Sequence, residues 1–103
     1  MARTTRKYSY TMNKEELKNK LNKILINKGF NLVNYNGESV YKKGVGFLTS
    51  TKYIKVDVYD DSVDISGWVR NFGISENDLE GFVGVIPKAT VTKVIDQMAS
   101  IIK

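Results

Sequence analysis

Residues 53–69 read "YIKVDVYDDSVDISGWV", two alternating runs on either side of a pair of aspartates. Ile54, Val56 and Val58 alternate with Tyr53, Lys55, Asp57 and Tyr59, the two-residue period of a strand with one buried face. A turn at Asp60-Asp61 sets Val58 opposite Val63, Val56 opposite Ile65 and Ile54 opposite Gly67. In that register every aliphatic residue of the hairpin shares one face. The other face carries Tyr53 opposite Trp68, Lys55 opposite Ser66 and Asp57 opposite Asp64. A sheet so divided needs a second layer on its aliphatic side.

Upstream, "FNLVNYNGESVYKKG" (residues 30–44) places Asn36-Gly37 between two apolar-bearing runs. That dipeptide takes the positive φ angles of a two-residue hairpin turn. It pairs Tyr35 with Glu38, Val33 with Val40 and Leu32 with Tyr41. Further back, "KYSYTM" (residues 7–12) alternates Tyr8, Tyr10 and Met12 with polar neighbours and reads as an edge strand. Residues 1–6 read as a flexible basic tail.

Two amphipathic helices supply the covering layer. Over residues 14–28, Leu17, Leu21, Ile24 and Leu25 form one stripe. Asn13 is placed to cap it, with Glu16 three residues on, and Met12 and Leu17 are spaced as a hydrophobic staple. Gly29 stands at the left-handed C-terminal position, with Phe30 set to pack back on Leu25. Lys14, Lys18, Lys20, Lys23 and Lys28 flank the stripe, where their stems cover core edges. Over residues 88–102, Val91, Val94, Ile95, Met98 and Ile102 form the second stripe. Between the second hairpin and this helix, residues 71–78 read as a loop, with one helical turn started by Ser75. Residues 79–85, "LEGFVGV", read as a short last strand.

The order is β-α-β-β-β-β-β-α within a single domain spanning residues 1–103. The fold class is α+β: one antiparallel sheet of five to six strands, covered on one face by two helices. By analogy this arrangement resembles the TBP-like or helix-grip class, which hosts DNA binders and lipid binders alike.

Composition narrows the chemistry. The chain has no histidine and no cysteine. Ser-His and Cys-His nucleophiles, thiolate metal sites and disulfides are therefore excluded within it. The expectation is a protein that is not an enzyme, holds no cofactor or metal, crosses no membrane and works in the cytoplasm. The net charge of +5 divides unevenly, +9 over residues 1–55 and −4 over residues 56–103. Either the halves pack together and neutralise each other, or the basic half meets nucleic acid.

Three stretches invite a functional reading. The non-aliphatic sheet face, with Tyr53, Trp68, Lys55, Arg70 and Tyr41, joins aromatics to cations and can stack bases or a planar ligand. "GFVGVIPK" (residues 81–88) lacks the spacing of a phosphate loop, and Pro87 removes a donor. A strand-to-helix junction is its main reading, with a weak anion site at an exposed Lys88 as the alternative. Asp57, Asp60, Asp61 and Asp64 crowd one hairpin tip, an oxygen-rich arrangement without the spacing of a calcium loop. "KGVGFLTS" (residues 43–50) resembles the octamer of RNA-recognition motifs through Lys43, Gly44, Gly46 and Phe47. Val45 and Ser50 stand where that motif has aromatics, and a hairpin follows where it has a helix.

Taken together, Lys43-Gly44-x-Gly46-Phe47, Trp68 and Gly81-Phe82-x-Gly84-x-x-Pro87-Lys88 resemble a small bacterial domain of unknown function that often follows a zinc ribbon. The resemblance spans roughly residues 14–102. It implies a bacterial-type module and carries no catalytic residues; the ribbon cysteines are missing, so no zinc-dependent role transfers. The resulting expectation is a binding or protein-interaction module using the aromatic and basic sheet face, with a protein partner or a second copy as its partner. A nucleic-acid-binding protein and a carrier of a small apolar ligand between sheet and closing helix are the alternatives.

Overall fold

The computed structural model describes residues 3–44, 51–71, 75–77 and 85–102. Its elements are β1 (Thr4–Ser9), α1 (Lys14–Asn27), β2 (Asn31–Tyr35), β3 (Glu38–Lys43), β4 (Thr51–Val58), β5 (Ser62–Asn71), β6 (Ser75–Asn77) and α2 (Val85–Ile101). All strands pair antiparallel in one sheet of order β1-β5-β4-β3-β2, with β6 also on β5. The α+β class and the element order are those expected.

Both hairpins hold the register set by their patterns. Val58 faces Val63, Val56 faces Ile65, and Tyr53 faces Trp68. Asn36 and Gly37 take φ of 51° and 88°, which lets Tyr35 close on Glu38. The first helix is capped as its sequence requires. Asn13 Oδ1 accepts from the Glu16 N–H at 3.1 Å, while the Glu16 carboxylate turns to Lys20 at 3.2 Å rather than back to the cap. At the other end, Phe30 N–H donates to Leu25 O and Gly29 N–H to Ile26 O, both at 3.0 Å, with Gly29 at φ 88°. This double bond pattern is a Schellman motif, and it ends the helix by satisfying carbonyls that otherwise lack donors.

The core lies between the helices and the aliphatic sheet face. Leu17, Leu21 and Leu25 of α1 and Val91, Val94, Ile95 and Met98 of α2 bury there with Ile54, Val63, Ile65 and Val69. β1 and β2 occupy opposite edges, so α1 must carry the chain across this face.

Four expectations are corrected. Thr4–Arg6 are not a tail, because they pair with Gly67, Ser66 and Ile65 of β5. Ser75–Asn77, read as loop or helical turn, form β6 against Val69–Asn71. Val85 belongs to α2 and not to a last strand; the helix begins three residues before Lys88, and Pro87 falls in its first turn, where a missing N–H costs little. Lys88 is buried, only 5% exposed, where an exposed lysine was expected. The remainder of the proposed last strand and the 45–50 part of "KGVGFLTS" lie outside the described residues.

Candidate functional site

The non-aliphatic face gathers most of the residues assigned to it, but not as an open platform. Tyr53 and Trp68 stack at 5.4 Å with ring planes 9° apart, and Tyr35 leans on both. Trp68 is fully buried and Tyr53 and Tyr35 nearly so, with Val40 beneath them as a second small core.

What closes it is Arg3. β1 pairs with β5 up to Thr4–Gly67, and β6 resumes at Val69, so Trp68 falls where the two edge strands meet. Arg3 continues the β1 register onto that gap and lies 3.8 Å above the Trp68 ring centroid. Its guanidinium holds Glu38 with two bonds of 3.0 and 2.8 Å. Lys55 donates to the same carboxylate at 2.9 Å and stands 3.7 Å from Asp57. The bonds from Arg3, and then from Lys55, hold the Glu38 carboxyl down at about 2. Glu38 in turn raises Lys55. Sequence reasoning paired Tyr35 with Glu38 without assigning either to this face and left Arg3 in a tail, because Arg3's approach depends on the distant β1–β5 pairing.

Of the remaining candidates, Arg70 lies 5.7 Å from the Tyr35 ring centroid and belongs to this face. Tyr41 does not. It pairs with Ile54, which turns it to the helix side, where its hydroxyl donates to Asn22 Oδ1 at 2.7 Å and burial pushes its pKa up. A base or planar ligand would have to displace Arg3 before touching Trp68. That corrects the stacking-platform expectation.

The hairpin tip is dispersed rather than convergent. Asp60 is 99% exposed and meets Lys14 at 3.3 Å, and Asp57 turns to Lys55. Among the described residues no group of acidic side chains is placed to hold a metal ion. No described helix is long and apolar enough to cross a membrane.

A different feature stands open. Between α1 and strands β2–β4 lies a groove of about 520 Å³, walled by Leu32, Tyr41, Val56, Val58 and Tyr59 beside Lys18 and Asn22. Leu32 is 60% and Tyr59 50% exposed beside it. The charges at this groove already have partners, Lys18 with Glu15 at 3.6 Å and Asp57 with Lys55. β2 forms its rim and is a terminal strand of the sheet. In a two-residue hairpin the closing pair is hydrogen-bonded and the pairs then alternate. With Tyr35–Glu38 closing, Val33 and Tyr35 point their backbone groups at β3, and Leu32 and Asn34 point theirs outward.

The chain matches no known protein family, no curated protein and no solved structure.

Proposed function

We propose that the chain is a non-enzymatic protein-interaction module that receives an extended, alternately apolar segment of a partner protein along β2. The observation that carries this reading is the combination, on one edge, of outward backbone groups at Leu32 and Asn34 with the groove between Leu32 and Tyr59. Added strands gain affinity from main-chain bonds and specificity from pockets for alternate side chains. Because the charges at the groove are paired, its contacts are a mixture of apolar packing and neutral polar groups rather than ionic attraction. A second copy fits poorly: a five-residue strand spans about 17 Å and offers far less than the roughly 1,600 Å² of a standard interface. An apolar-ligand carrier finds less support, since the groove is open and part of its wall is polar. The cysteine-free composition accords with a module working in the cytoplasm.

Selection of a displayed random-peptide library against the purified protein tests this. Selected peptides should shift the Leu32 and Asn34 amide resonances more than those of Val33 and Tyr35. Leu32→Lys, at an exposed position, should leave the fold intact and weaken binding about tenfold or more by introducing an edge charge. Peptides that bind equally well to Leu32→Lys, or a library that yields none, would overturn the proposal.

A further inference from the structure

A second hollow, of about 170 Å³, lies where the C-terminal end of α1 meets α2 and the end of β3. Among the described residues it is lined by Lys28, Lys43, Thr90, Lys93, Val94 and Gln97, three lysines from three separate elements and no carboxylate. Some cations elsewhere are compensated and others, Lys7, Lys23 and Lys42 among them, are not among the described residues, so what marks this hollow is that three cations border it together. Arg3, Arg6, Lys14, Lys18, Lys20 and Lys55 each have a carboxylate within 4 Å. Among the described residues none of Lys28, Lys43 and Lys93 has one. Lys52, directly opposite Lys43 on β4, adds a fourth cation without a carboxylate partner there.

Local structure explains only part of this gathering. Lys28 sits at the C-cap of α1, where the helix dipole favours a cation. Lys43 Nζ lies 6.0 Å from the Phe30 ring centroid. Its stem runs over Gly29 so closely that a Cβ there would stand 3.3 Å from Lys43 Cε. That fixes the path of the lysine and leaves less side-chain entropy to lose on binding. Lys93 lies exposed on α2. Three cations bordering one hollow raise its potential toward an anion.

We infer that Lys28, Lys43 and Lys93 form a seat for a single phosphate group. The ammonium groups supply point charges, and the Gln97 amide can donate a hydrogen bond from the rim. The hollow, of about 170 Å³, has room for one tetrahedral oxyanion together with bridging waters. The phosphate can come from a small phosphorylated compound or from a nucleic-acid backbone, and the seat recognises the chemistry they share. This site is separate from the β2 groove and stands without it.

Melting curves in chloride and in phosphate at matched ionic strength, with amide spectra, provide the test. Inorganic phosphate should raise the melting temperature by about 6–11 °C at ten times its Kd, and the rise should continue logarithmically with concentration. It should also shift the resonances of Lys28, Gly29, Lys43 and Lys93. The Lys43→Gln/Lys93→Gln pair, at positions outside the core, should fold normally and lose both effects, which removes the general stabilisation that phosphate gives by exclusion. A single-stranded oligonucleotide forms the second arm. If it displaces phosphate and its salt dependence weakens in the double variant, the natural source is nucleic acid. If phosphate binds and the oligonucleotide does not, the source is a small phosphorylated compound. An equal phosphate gain in wild type and double variant, or shifts spread over the whole surface, would overturn the seat.

Discussion

At Gly29, φ is 88° and a Cβ would stand 3.3 Å from Lys43 Cε, a tight contact. Gly37 shares that φ but has nothing within 4 Å of its missing Cβ. Replacing either by alanine incurs the left-handed backbone cost, about 1–2 kcal/mol. Gly29→Ala should cost more, because it also pushes on Lys43, and Gly29→Val more again. Melting temperatures of the three variants check the ranking, and equal losses at Gly29 and Gly37 would refute the Lys43 contact. Glu38 gives a pH signature with a definite sign. Its folded pKa of about 2 lies below the ordinary value of 4.5, so its stabilisation is complete above 4.5 and is lost as pH falls toward 2. Glu38→Gln should flatten the acid side of the stability profile in that window; an unchanged profile would mean that Arg3 and Lys55 do not hold the carboxylate in solution. Positions such as Gly29 and Asn36-Gly37 were legible because backbone chemistry alone demands those residues. Lys88 was not, because a lysine early in a helix reads as exposed unless the helix start itself is known.

Among the elements, the two hairpins were readable down to their registers, while the contact between them was not. The turns at Asn36-Gly37 and Asp60-Asp61 are short and fix pairing within each hairpin. The connection from β3 to β4 is longer and fixes nothing, and a slip of one residue moves a side chain to the other face. That is why Tyr41 was assigned to the wrong side of the sheet. β6 escaped for another reason: Ser-Glu-Asn carries no apolar alternation, and it is a strand because β5 extends beyond β1 and offers a free edge. β1 yields a direct prediction. Deleting residues 1–6 removes the pairing of Thr4–Arg6 and the Arg3 cover over Trp68. The melting temperature should fall, and emission from the single tryptophan should shift to longer wavelength. Unchanged emission would show that Arg3 does not shield the indole.

For the whole molecule, the two cores share β4 and β5, Ile54 and Val63 facing one way and Tyr53 and Trp68 the other. Because both cores are built on the same two strands, disrupting β4–β5 pairing exposes both. Tryptophan emission and far-ultraviolet circular dichroism should therefore report one coincident thermal transition, and two separated midpoints would show that the aromatic face melts on its own. The uneven charge along the chain was legible, and part of its resolution was as expected: Arg6 reaches Asp96 and Lys14 reaches Asp60 across the two halves. The order of the sheet has a further consequence, for synthesis. β2–β3 and β4–β5 close locally, but Thr4 must wait for Gly67 to be translated. At roughly 5–20 residues per second that wait lasts several seconds. β1 is thus seated only after β2–β5 have been made. A bulky domain fused ahead of it should let a nascent chain form both hairpins while delaying the moment at which the indole goes dark to quencher.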